Sequence, residues 1–126
     1  MSYSRFAYSG LHLDRSHIAA DGTVQVSLLV KNVGSRTADE IVQLYVRALD
    51  SHQPHARKDL RGIERVSLAA GESRRVEFAI RPTADLLRYD TAAAKYVVDP
   101  GRYEVQVGAS SGDIRQRATL AVTEGS

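Results

Sequence analysis

His52-x-x-His55, with Asp50 just upstream, carries the residue types of a metal site, since imidazole and carboxylate both suit zinc. The spacing supplies no clear fourth ligand. The surrounding segment, Leu49 to Arg57, is polar and contains Pro54, so it reads as a long surface loop. No metal and no cofactor is therefore expected. General acid–base chemistry needs carboxyl groups placed against a substrate in a cleft. Asp39, Glu40, Asp59, Glu64, Asp90 and Asp99 are available, but all fall at expected strand ends, turns or solvent faces, and no catalytic residue is assigned. No Gly-x-Ser-x-Gly elbow is present, and Gly108 to Gly112 is not followed by the Lys-Ser/Thr pair or the helix of a phosphate loop. His12 and His17 are expected to be exposed. Aromatic faces remain as candidate platforms for stacking on a sugar ring: Tyr3, Tyr89 and Tyr96, in a chain with no Trp.

The elements that would position these residues are strands. Val24, Val26, Leu28 and Val30 alternate with Thr23, Gln25, Ser27, Leu29 and Lys31, which is the pattern of a strand with one buried face. Asp21-Gly22 before it and Asn32-Val33-Gly34 after it read as turns, because Asn and Gly tolerate positive φ. Phe6, Tyr8, Leu11 and Leu13 suggest a first strand broken near Gly10. Ile41 to Val46 is apolar on both faces except at Gln43, as for a central strand covered on both sides or packed against another domain. Leu60, Ile63, Val66 and Leu68 change parity around Gly62, which predicts a β-bulge. Ala69-Ala70-Gly71-Glu72 is a turn, Val76, Phe78 and Ile80 make the next strand, and Pro82 stops it. Thr83 to Asp90 reads as a crossing segment or a single helical turn that Ala92-Ala93-Ala94 could extend. Asp99-Pro100-Gly101 fits a type II turn. Tyr103, Val105 and Val107 alternate again, and Ser110 to Asp113 turns into a last strand with Ile114, Leu120 and Val122. About seven or eight short strands with regular turns predict an all-β, antiparallel sandwich of the immunoglobulin or fibronectin type III kind.

The 126 residues suffice for one such domain and one core, with frayed ends near 1–4 and 123–126. Charged residues make up 25% and hydrophobic residues 43%, which argues against disorder of the whole chain. No apolar run approaches the roughly 18 residues of a membrane span, and no signal-peptide pattern follows Met1. With no Cys, disulfides and thiolate metal sites are excluded. The net charge of +2 is small, and the basic cluster Arg57, Lys58, Arg61, Arg65, Arg74 and Arg75 is interrupted by Asp59, Glu64 and Glu72. That pattern is a solvated face or a packing face rather than a nucleic-acid groove.

Several segments, in order, resemble the C-terminal fibronectin type III-like domain of family 3 glycoside hydrolases, the β-glucosidase and β-xylosidase family. They are Ser2 to Leu11, Val30 to Gly34, Glu40 to Val46, Lys58 to Gly62, Leu68 to Glu72, Tyr89-Asp90, Val97 to Gly101 and Gly108 to Arg115. Tyr96 stands where that family often has Trp, Ile63 and Arg88 stand where it often has aromatics, and His55-Ala56 replaces an Arg-Pro. The family's nucleophile and acid/base carboxyls belong to other domains, and no motif here matches them. The resemblance implies a non-catalytic accessory domain, excised or detached from a glycoside hydrolase, that packs on and stabilises the catalytic domains and holds a loop near the active-site rim. The expected contacts are Tyr45, His52, His55, Arg57, Lys58 and Arg61. Two other functions stay open: a polysaccharide-binding module using Tyr89 and Tyr96, and a free-standing immunoglobulin-like interaction domain. Neither nucleic acid nor a membrane is an expected partner. The domain would be periplasmic or secreted if its parent is exported, and cytoplasmic otherwise.

Overall fold

The computed structural model describes residues 6–19, 22–49, 58–81, 87–90, 92, 94–98, 101–110 and 112–123. Eight strands form two sheets. In the first, β3 (Val24–Asn32) lies between β1 (Phe6–Leu13) and β6 (Ser73–Ile80). The second runs β2 (His17–Ala19), β10 (Asp113–Thr123), β9 (Gly101–Ser110), β4 (Ala38–Ala48), β5 (Lys58–Leu68). All these pairs are antiparallel except β2 with β10, so one edge of the larger sheet is parallel.

The alternating residues explain the sandwich. Val24, Val26, Leu28 and Val30 of β3 are buried, and they meet Val42, Leu44 and Val46 of β4 and Val105 and Val107 of β9 in one core. Leu68, Val76, Ile80 and Leu120 complete it. Burial of these faces supplies the main stabilisation, as expected for a chain with no disulfide. The first strand slips register between Ser9 and His12, at the expected break.

The bulge at Gly62 is present: Leu44 pairs Gly62 while Tyr45 pairs Leu60, which leaves Arg61 as the extra residue. A Cβ on Gly62 would sit 2.6 Å from Cδ1 of Phe78 on the opposite sheet. Close inter-sheet packing, rather than an unusual φ, therefore requires glycine here.

Two expectations change. Leu87–Asp90 is a strand, β7, paired with β8 (Lys95–Val98), and among the described residues there is no helix. A four-residue segment is too short for its periodicity to separate strand from helical turn, and pairing across the ribbon decides it. Asn32 does not turn the chain through positive φ; it closes β3 in extended backbone, fully buried. Its Nδ2 donates to the carbonyls of Leu68 and Arg36, both at 2.8 Å, and its Oδ1 accepts from the Gly34 N–H at 2.8 Å. Its own N–H donates to the Glu72 carbonyl, and its carbonyl accepts from the Gly71 N–H. One residue, through side chain and backbone, thus ties the end of β3 to the end of β5 and to both adjoining turns. Residues 1–5, 50–57, 82–86, 99–100 and 124–126, where the frayed ends, the long loop, Pro82 and the type II turn were expected, lie outside the described residues.

Removing this amide strands the buried Leu68 carbonyl and two part-buried backbone groups, the Arg36 carbonyl and the Gly34 N–H. Asn32→Ala is expected to cost about 2–4 kcal/mol in urea unfolding, and Asn32→Asp is expected to recover little, since a carboxylate offers no N–H to the two carbonyls. A loss below about 0.5 kcal/mol would show that water satisfies those groups equally well.

Candidate interaction face

Because Val42, Leu44 and Val46 point into the core, the alternate residues Ile41, Gln43 and Tyr45 point outward. Cα partners in an antiparallel pair share a face. The outer face of the larger sheet therefore also carries Leu60 opposite Tyr45, Ile63 opposite Gln43 and Arg65 opposite Ile41 on β5. On β9 it carries Gln106 opposite Tyr45 and Glu104 opposite Arg47. Tyr45 is only 9% exposed despite facing outward. Its hydroxyl donates to Oε1 of Gln43 at 2.5 Å, and Nε2 of Gln43 donates to the Ala109 carbonyl at 3.0 Å. Gln106 is buried beside it and donates to Glu104. The centre of the face is thus a held polar floor, and beside it Ile41 of β4 and Leu60 and Ile63 of β5 are exposed.

Of the contacts expected from the sequence, Tyr45 lies in that floor and Arg61 is the exposed bulge residue beside it. Lys58 opens β5 opposite Arg47. His52, His55 and Arg57 lie outside the described residues. Tyr89 and Tyr96 are Cα partners on the β7–β8 ribbon. Tyr3 lies outside the described residues.

Among the described carboxylates, Asp39 and Asp113 sit in ion pairs. Asp39 meets Arg65 at 2.5 Å on the exposed face, and hydrogen bonds from Arg65 and Ser67 lower its carboxyl below the usual range. Asp113 grips Arg115 through two contacts, Oδ1 to Nε at 2.6 Å and Oδ2 to Nη2 at 3.0 Å, and is likewise lowered by that hydrogen bonding. A groove of about 310 Å³ runs between β5 and β6, lined by Glu64, Arg65, Val66, Arg74, Arg75, Val76 and Glu77. Arg75 pairs with Glu77 at 3.4 Å there, so the β5 and β6 edges are fringed with charge, which discourages pairing with other chains. Among the described residues, no three His, Cys, Asp or Glu cluster as metal ligands. His12 and His17 are exposed, as expected.

Sequence reasoning placed Glu40 among the solvent-face carboxylates and missed its role. Tyr8 of β1 donates to Glu40 of β4 at 2.9 Å, across the two sheets. The Arg115 guanidinium lies 5.5 Å from the centre of the Tyr8 ring and donates to the Phe6 carbonyl at 3.0 Å. Asp113-x-Arg115, two residues apart on one strand, is the available sequence signal for half of this clasp; the Tyr8–Glu40 half has none, since the partners are remote in the chain. Burial, then the hydrogen bond to Glu40 and its negative charge, push the Tyr8 phenol far above the ordinary tyrosine range, with Arg115 pulling the other way.

Residues 40–111, more than half of the chain, match the fibronectin type III-like domain. The chain belongs to that family. It is 34% identical over 116 residues to a putative β-xylosidase of Formosa agariphila, covering 92% of this chain and 15% of that protein. It is 34% identical over 122 residues to the thermostable β-glucosidase B of Acetivibrio thermocellus, covering 97% of this chain and 16% of that protein. Among solved structures it superposes on the family 3 β-glucosidase of Bifidobacterium adolescentis with a TM-score of 0.85 and 30% identity, covering 97% of this chain and 18% of that one. This fibronectin type III-like domain therefore corresponds to a small part of much longer glycoside hydrolases.

The clasp makes a pH prediction. Tyr8 stays protonated in the folded domain above the pH at which the unfolded chain ionises, so its contribution is whole below about pH 10 and is lost as pH rises further. Tyr8→Phe should cost about 1–2 kcal/mol in urea unfolding at neutral pH. The gap to the unmodified chain should narrow between about pH 9 and 11; a gap that stays constant over that range would contradict the assignment.

Proposed function

We propose that this chain is a non-catalytic accessory domain of a family 3 glycoside hydrolase of the β-glucosidase or β-xylosidase type, packed on the catalytic domains and stabilising them. The supporting observation is the coverage: almost all of this chain aligns with only 15–16% of the named β-xylosidase and β-glucosidase. Three of the described carboxylates, Asp39, Glu40 and Asp113, are each engaged by Arg or Tyr, whereas glycoside hydrolysis needs two carboxyls roughly 5–10 Å apart facing a substrate. In this reading the loop 49–58 lies near the active-site rim, and Tyr45, His52, His55, Arg57, Lys58 and Arg61 contribute contacts to the catalytic domains.

The pairing of Tyr89 with Tyr96 favours one other role, polysaccharide binding. Retention of the isolated chain on insoluble glucan, lost in Tyr89→Ala or Tyr96→Ala, would establish it.

The accessory reading is tested with the natural gene product that contains this chain, the same product lacking it, and the chain alone. The chain alone should release no aglycone from aryl β-glucosides or β-xylosides. The complete product should hydrolyse one of them, and removal of the domain should lower its melting temperature by about 5 °C or more. Hydrolysis by the chain alone, or a gene product no longer than the chain, would overturn the reading.

A further inference from the structure

We propose that the outer face of β4 and β5, centred on Ile41, Leu60 and Ile63, is the surface by which this domain docks on the rest of a longer glycoside hydrolase polypeptide; this rests on the accessory-domain reading above. Six large hydrophobic side chains are exposed among the described residues, and three of them lie here, with Ile63 the most open at 58%. They occupy neighbouring register positions: Leu60 is opposite Tyr45, Ile63 opposite Gln43, and Ile41 opposite Arg65. The other three are scattered. Leu29 lies on the smaller sheet opposite Ser9 and Arg75, Val33 lies in the turn after β3, and Leu49 follows β4. Isolated exposed apolar residues are ordinary, whereas a contiguous group on one flat face marks an interaction site.

The face has the layout of an interface. The apolar residues lie beside Tyr45 and Gln43, whose side chains are already held by hydrogen bonds, so little ordering is left to be done on docking there. Charged residues rim it: the Asp39–Arg65 pair at one end and Arg47 with Glu104 at the other. The bulge at Gly62 turns Leu60 and Ile63 onto the same face although they are three residues apart. The occupant follows from the relatives. In proteins where this domain is 15–18% of the length, more than four-fifths of the chain lies outside it and is tethered to it, so the covering surface is present at high effective concentration.

The chain contains no Cys, so one substitution installs a unique thiol. Ile63→Cys and Leu29→Cys are each labelled with a maleimide in the 126-residue chain and in the natural gene product, made cysteine-free elsewhere. The proposal expects Ile63→Cys to react fast in the chain and about tenfold or more slowly in the gene product, with Leu29→Cys unchanged. An unchanged Ile63→Cys rate overturns this face. If removal of the domain still lowers the melting temperature, the accessory reading survives that result; if removal changes nothing, both fall. Slow, concentration-dependent labelling of Ile63→Cys in the isolated chain would mean that a second copy covers the face, and would also overturn the proposal.

Discussion

Asn32 is the contact on which the geometry of the domain depends. A sandwich has two sheets with an apolar core between them, and burial alone does not fix how their ends meet. Asn32 supplies direction. Its amide reaches the Leu68 carbonyl at the end of β5 and the Arg36 carbonyl in the turn toward β4, and its backbone meets Gly71 and Glu72 in the turn toward β6. Two chain reversals and two strand ends are thereby set by one buried residue. Low local dielectric strengthens such a network when it is complete and penalises it when a member is lost. No buried side-chain polar atom among the described residues lacks a partner.

From that anchor the outer face follows. Fixing the turn after β3 sets the parity of β4, so Val42, Leu44 and Val46 enter the core and Ile41, Gln43 and Tyr45 turn out. A slip of one residue would exchange the two sets and bury Gln43. The glycine at position 62 lets β5 pass close to Phe78 on the inside while Leu60 and Ile63 face outward. The Tyr8–Glu40 hydrogen bond and the Arg115 contacts close the sandwich near β1.

Much of this was legible in the sequence, and the exceptions have physical causes. The Val24–Val30 alternation marks β3 because period two leaves little choice of face. The parity change at Gly62 reveals the bulge, but not that Phe78 is the reason for glycine, because that contact lies between strands. Asn32 has the composition of a turn residue, and only burial shows that its side chain rather than its φ matters. Leu87–Asp90 is too short for its pattern to declare a strand. Glu40 looks like a solvent carboxylate because its partner, Tyr8, is 32 residues away. Of the expected contact set, Tyr45 was identified as a residue of interest, yet Ile41, Leu60 and Ile63 were not, because an exposed apolar face is indistinguishable in sequence from a second buried one.

On the accessory-domain proposal, the apolar face of β4 and β5 belongs to a domain whose stability is shared with what it packs against. Calorimetry of the complete gene product beside the 126-residue chain tests this most directly. The account predicts that the domain melts at a higher temperature within the gene product than alone, in a transition merged with that of the catalytic part, as a buried interface stabilises both sides. A separate transition at the melting temperature of the isolated chain would contradict it and would mean that the domain is tethered without being docked.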